Sequence, residues 1–131
     1  VEALNADIVD PDGYYVGTRI IPTVIAYNTG AVTEPPTTWA ALADPQYRGQ
    51  ITLPNPDVSG AAAYNTAVWL SEDSLGQEWL EGLAANEPVV AESNGPVGQA
   101  VAAGTQPIGI VVEPFSSFLM KSMFLVIYVF L

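Results

Sequence analysis

Apolar and polar positions along this chain change period several times, and each change marks an element. Tyr14 to Tyr27, YYVGTRIIPTVIAY, is rich in β-branched and aromatic residues but is interrupted by Gly17 and Pro22. Proline cannot donate to a ladder, so this run predicts an edge or bulged strand that could cross between domains. Ahead of it, residues 1–13 are polar and end in the turn sequence Asp10-Pro11-Asp12-Gly13, which reads as a linker. Thr37-Thr38 then caps a short helix, WAALAD, that stops at Pro45. Gln50 to Leu53 is a short strand ending at Pro54-Asn55-Pro56, and a helix begins near Ser59. Ala62, Ala63, Val68, Trp69 and Leu70 predict that this helix is buried. Ser74 opens an amphipathic one with Leu75, Trp79, Leu80 and Leu83 at i, i+4, i+5 and i+8.

Further on, Val89 to Glu92 is strand-like, and Gly95 to Ala103 is helical with Gly104 as its C-terminal stop. Ile108 to Val112 is a continuous apolar run of the kind found in strands covered on both faces. The order β-α-β-α-α-β-α-β implies an α/β lobe with a mostly parallel sheet and right-handed crossovers, occupying residues 14–113. Trp39, Trp69 and Trp79 each fall within a helical apolar pattern and are assigned to the core. Tyr14, Tyr15 and Tyr27 flank the crossing strand, and Tyr64 stands one turn into the helix after Ser59. Each could reach a cleft or pack with its hydroxyl at a rim. Residues 114–131 change character: the stretch is almost wholly apolar, with one lysine. Met123 to Leu131 falls short of the roughly 20 apolar residues of a membrane helix, so a buried helix or strand is expected.

Charge and composition narrow the chemistry. The chain has 131 residues, enough for one domain, with 14 acids against 3 bases and a net charge of −11. That balance repels a phosphate backbone and excludes nucleic acid as a partner. The acids are scattered, as on a solvated surface. No histidine and no cysteine are present, which removes Ser-His-Asp and Cys-His catalysis and thiolate or histidine metal sites. With no G-x-S-x-G elbow beside Ser59, the expectation is a protein that is not an enzyme and needs no cofactor. The first residues show neither a charged n-region nor an apolar h-region, so no signal peptide is expected within this chain.

Two strand-to-helix junctions carry the most information: Asn55-Pro56-Asp57-Val58-Ser59-Gly60-Ala61 and Ser93-Asn94-Gly95-Pro96. Each places a capping residue and small residues at a helix N-terminus, where unsatisfied N–H groups and the helix dipole attract an anion or polar ligand. In a parallel sheet both junctions lie at the carboxyl ends of strands, the edge where open α/β sheets bind ligands. Ser59 and Ser93 could equally do no more than cap their helices. Asp57, Glu92 and Glu113, each near a strand end, are candidates for a hard cation, and Asp57 could instead serve the helix that follows it.

Four segments together resemble a known family: V-I-A-Y-N-T at 24–29, E-P-P-T-T-W-A-A-L-A-D-P-Q-Y-R-G-Q-I at 34–51, L-P-N-P-D-V-S-G at 53–60, and E-S-N-G-P-V-G-Q-A-V-A-A-G at 92–104. The chain resembles the iron/phosphonate/polyamine group of extracellular solute-binding proteins from about Tyr14 to Val112. The resemblance implies the second lobe of a two-lobed, type II periplasmic-binding-protein-like fold: a three-layer α/β unit with Tyr14 to Asn28 as incoming hinge strand and the first lobe missing. It implies capture of a small anionic solute or ferric iron in the periplasm or outside the cell, and delivery to an ABC permease. It implies ligand contacts from Ser59, Gly60 and Ala61, from Ser93 and Asn94, and from the hinge positions Thr23 and Tyr27. Ferric-binding members often carry arginine where this sequence has Thr23, and a tyrosine pair where it has Glu113-Pro114-Phe115. Phosphonate, another organic anion, or iron bound differently with Glu113 as a metal candidate therefore stay open. Phe115 to Leu131 matches nothing in the group. It is expected to be a truncated or frameshifted end that packs on the hinge face or drives self-association. The alternative is an effector-sensing domain of a regulator or chemoreceptor.

Overall fold

A computed structural model describes residues 9–18 and 21–112 of the chain. Four strands form one sheet: β1 (Thr23–Tyr27), β2 (Ile51–Pro54), β3 (Val89–Ala91) and β4 (Ile108–Val112), in the spatial order β1-β4-β2-β3. β2 runs parallel to both β3 and β4, and β1 pairs antiparallel with β4 in the register Thr23↔Val112 to Tyr27↔Ile108. The expected strand after Tyr14 is therefore confined to the five residues past Pro22. It lies at an edge of the described sheet, where a missing N–H costs least. Upstream, Gly13 turns at φ 78° and Val9 bridges Val16, so Asp10 to Gly13 forms the anticipated turn. Tyr14 and Tyr15 are exposed.

Helices cover both faces. Alternation along β1 sends Val24 and Ala26 to one side, where they pack with Val97, Val101 and Val111. Val97 and Val101 belong to helix α3 (Asn94–Ala103), which Gly104 ends in the left-handed conformation at φ 73°. Ile25 and Tyr27 face the opposite way, into a larger core with Ile108, Ile110, Trp69, Trp79 and Leu83. That layer is built by α1 (Gly60–Ser71), α2 (Gly76–Ala85) and the two short 3-10 turns Ala40–Ala43 and Pro45–Tyr47. The result is a three-layer lobe with a mostly parallel sheet.

The three tryptophans form the centre of the larger core: Trp69 lies 5.4 Å from Trp39 and 5.3 Å from Trp79 between ring centroids. Tilted and edge-on pairs of this kind add about 0.5–1.5 kcal/mol each beyond their burial. Two buried asparagines fasten the loops to this core. Asn86 Nδ2 donates to Leu42 O and Asp44 O, both at 2.8 Å, and Asn28 Nδ2 donates to Val101 O at 3.0 Å.

Two expectations need correction. Helix α1 is not wholly buried: its composition is mostly apolar, but only the stripe Ala62, Asn65 and Trp69 is buried, leaving Tyr64 71% and Leu70 51% exposed. Helix α2 starts two residues later than Ser74 implies. Gly76 takes φ +69° after Leu75, a backbone turn only glycine adopts freely, so helical geometry cannot extend back to the serine. Part of the 1–13 linker, Glu113 and the apolar stretch 114–131 lie outside the described residues.

Candidate functional site

Because β1 is antiparallel to its neighbour, its first residue meets the last residues of β2 and β4 at a single sheet edge. The same edge receives the N-termini of α1 and α3, each entered directly from a parallel strand. A recess there is lined by Thr23, Leu53, Pro54, Ala61, Ala62, Asn65, Trp69, Asn94, Ile110, Val111 and Val112.

Local turns set its walls. After β2, Asn55 N–H donates to Ala91 O at 2.7 Å, and Asn55 Oδ1 accepts from Asp57 N–H at 2.9 Å. The chain therefore folds back at once and delivers Ser59 as the N-cap of α1, its hydroxyl accepting from Ala62 N–H at 3.3 Å. Gly60 and Ala61, the first two residues of the helix, keep N–H groups with no acceptor among the described residues. At α3 the cap is different. Ser93 is fully extended, with φ −159° and ψ 177°, and its side chain caps nothing. Asn94 Oδ1 instead accepts from Val112 N–H at 3.1 Å, tying the helix start to the end of β4. Pro96 carries no N–H, so the donors left at this helix start are the backbone groups of Asn94 and Gly95.

Of the residues singled out from sequence, Thr23, Ala61 and Asn94 line the recess, and Ser59, Gly60 and Ser93 adjoin it in the chain. Tyr27 is not brought to it. The phenol is 6% exposed in the core beside Ile25 and Ile108, at the far end of β1 from Thr23. Tyr64 is exposed and is not part of the recess lining, and Asp57 and Glu92 are exposed. Among the described residues no three acidic side chains approach one another as a metal group would.

Sequence reasoning missed Asn65. It is 9% exposed, and its carboxamide lies 3.0 and 3.1 Å from Thr23 Oγ1 through nitrogen and oxygen respectively. The signal was a polar residue inside the apolar stripe Ala62, Asn65, Trp69, at i, i+3 and i+7. A buried amide in that position must find a partner.

Among the described residues the recess lining offers neutral donors. Arg48, the basic side chain among the described residues, pairs at 2.6 Å with Glu87 on the exposed surface, where the guanidinium holds the Glu87 carboxyl below its usual range. Neither residue belongs to the recess lining. The arrangement can present two helix N-termini to an acceptor-rich solute, with the Thr23 hydroxyl and the Asn65 carboxamide bonded to each other beside them.

Comparison with known proteins places the fold. The lobe is similar to part of iron-bound HitA from Pseudomonas aeruginosa, at 24% identity and a TM-score of 0.74, over 94% of this chain and 40% of that one. It is similar to apo FutA2 from Synechocystis at 27% identity and a TM-score of 0.65, over 93% and 40%. It is also similar to a two-component system protein that mediates signal transduction, at 18% identity and a TM-score of 0.78, over 96% and 42%. The chain thus spans about two fifths of the length of these structures. A search of curated protein sequences returns no match. The family model for bacterial extracellular solute-binding proteins matches residues 1–128, nearly the whole sequence. On that match, and with a type II lobe whose two helix N-termini meet at one sheet edge, the chain belongs to the bacterial extracellular solute-binding protein family.

Proposed function

We propose that this lobe supplies one wall of a solute cleft in a substrate-binding protein, capturing a small anionic solute, or ferric iron together with such an anion, for import through an ABC permease. One observation carries the reading: the N-termini of α1 and α3 reach one sheet edge, where Ala61 and Asn94 line a recess with Thr23 and Asn65, and the N–H groups of Gly60, Ala61, Asn94 and Gly95 have no acceptor among the described residues. Neutral donors aimed from two helix starts stabilise an oxyanion without a cationic side chain. Ser59, Gly60, Ala61, Ser93, Asn94 and Thr23 are the contacts assigned in this reading, with Glu113 as the candidate protein ligand if iron accompanies the anion. Iron-bound HitA, whose lobe this one resembles, favours the iron arm.

The protein then works in the periplasm or at the outer face of the cell, held near the membrane by its permease, and performs no catalysis. Closure of a second lobe over this edge would bury the solute. Residues 114–131 are assigned to self-association, which the solution mass of the chain with and without them checks. A second reading, an effector-sensing domain that binds its solute at the same edge, is favoured by the likeness to the signal-transducing two-component protein.

The test is a thermal-shift screen of the protein in its longest encoded form against ferric citrate, phosphate, phosphonates, sulfonates and polyamines. A solute at 100 times its dissociation constant stabilises by about 2.7 kcal/mol. A shift with one oxyanion class is expected. A shift with polyamines alone would overturn the anion reading.

A further inference from the structure

Asparagine followed by glycine occurs once in the chain, at Asn94-Gly95. Asparagine is thermolabile because the backbone nitrogen of the next residue can attack its carboxamide carbon, and glycine, having no Cβ, hinders that approach least. The described asparagines differ in how far their surroundings prevent it. Asn55 precedes Pro56, which has no N–H to offer. Asn28 and Asn86 each hold the side-chain nitrogen in hydrogen bonds to two backbone carbonyls, and Asn65 is buried against Thr23. Asn94 has none of these restraints. Its Nδ2 and the N–H of Gly95 have no partner among the described residues, and both residues are partly exposed to water. Its Oδ1 accepts from Val112 N–H at 3.1 Å, which draws electron density from the carboxamide carbon and stabilises the oxygen that becomes negative when that carbon is attacked. The turn that must flex is loosely held: Val97 N–H reaches Ser93 O only at 3.4 Å, and Pro96 contributes no bond.

We infer that Asn94 is a site of spontaneous deamidation that removes oxyanion binding as the protein ages. The nitrogen of Gly95, its proton passed to solvent, bonds to Cγ of Asn94. The Cγ–Nδ2 bond breaks, and Nδ2 departs as ammonia with a proton from water. Water then opens the cyclic imide at either carbonyl, leaving aspartate or isoaspartate at position 94. The net change is hydrolysis of one amide, with no oxidant or reductant. A carboxylate then stands in the recess lining in place of a neutral carboxamide. It repels an oxyanion held by the neighbouring N–H groups, and the isoaspartate form also lengthens the backbone at the start of α3. The modification stands on the geometry of Asn94, and its effect on binding rests on the solute-binding reading above.

The experiment incubates the protein in its longest encoded form in mildly alkaline buffer, folded and, in parallel, unfolded in urea. Peptide mass spectrometry follows each asparagine, and isoaspartate methyltransferase labelling detects the rearranged product. Asn94 of the folded protein is expected to convert over the same period as in the unfolded chain, and Gly95→Ala to slow it. An intact Asn94 in the folded protein after the unfolded chain has converted overturns the inference, as does conversion of Asn28, Asn55, Asn65 or Asn86 ahead of it. Calorimetric titration with inorganic phosphate and, separately, with ferric citrate reads the consequence: aged protein and Asn94→Asp are expected to lose binding. Unchanged affinity in both overturns the loss of binding and leaves the solute-binding reading standing. Failure of fresh wild type to bind either probe overturns that reading, while the mass at residue 94 still decides the modification.

Discussion

Thr23 Oγ1 lies 3.0 Å from Asn65 Nδ2 and 3.1 Å from Asn65 Oδ1, so a two-way polar contact joins the first residue of the edge strand to the middle of α1. The pair is separated by 42 residues in sequence and closes one side of the recess. Asn65 is too buried to exchange this partner for bulk water. Thr23→Val keeps the shape of the side chain while removing its hydroxyl, and should destabilise the fold by about 1–3 kcal/mol, the cost of an orphaned buried amide. Asn65→Leu on that background should recover part of the loss, because the orphan is then gone. Urea denaturation of the two single variants and the double variant measures this. Additive losses would show that the contact does not couple strand and helix.

Gly109 is required by packing, not by backbone conformation. A Cβ at this position would lie 2.6 Å from Val101 Cγ2 and 3.0 Å from Val97 Cγ1, so β4 meets α3 with no room for a methyl group. Gly109→Ala should cost about 1–3 kcal/mol by overpacking. Gly104→Ala is the contrasting case, because its nearest neighbour would be 3.5 Å away but its φ is +73°. It should cost about 1 kcal/mol through the left-handed backbone alone. Thermal melts of both rank them, and Val101→Ala should rescue Gly109→Ala but not Gly104→Ala.

Tyr47 makes stability depend on alkaline pH. Its hydroxyl donates to Glu34 O at 3.0 Å, and burial, then the charges of Asp44 and Glu34, push the phenol above its ordinary range. A folded-state value above the unfolded one means that folding favours the protonated phenol. The contribution is complete below the unfolded value of about 10 and disappears as pH rises through the higher folded value. Stability should therefore fall more steeply above about pH 10 in the wild type than in Tyr47→Phe. The variant should be less stable at neutral pH, having lost the bond to Glu34. Parallel alkaline limbs in the two proteins would place the titrating group elsewhere.

The order of elements was legible because period and punctuation agree from Pro22 to Val112. Pro22 stands just before the start of β1, Pro54 and Asn55 close β2, and Gly104 stops α3 where its left-handed turn occurs. What local pattern could not supply was which neighbours cover a residue. Mostly apolar, α1 reads as buried, yet Leu70 faces solvent because only one stripe of the helix is covered. Tyr27 was misplaced for a geometric reason that the sequence did contain. Four residues at roughly 3.3 Å each separate it from Thr23, about 13 Å along the strand and away from the carboxyl edge. Asn65 is not visible to a pattern of apolar residues, because the informative feature of the stripe is the polar residue within it.

Ser59 and Ser93 occupy equivalent places before α1 and α3 and should respond differently to the same change. Ser59 accepts from Ala62 N–H, so Ser59→Ala removes a helix cap and should cost about 1 kcal/mol. Ser93 makes no capping bond and is exposed, so Ser93→Ala should leave the unliganded melting temperature nearly unchanged. If the solute sits between the two helix starts, Ser93→Ala should nevertheless weaken the oxyanion found in the screen, since a free hydroxyl beside open N–H groups is a ready donor. Calorimetric titration and unliganded melts of both variants separate the roles. A stability loss in Ser93→Ala with unchanged affinity would make that serine a cap after all. Loss of affinity without loss of stability would mark the second junction as part of the cleft.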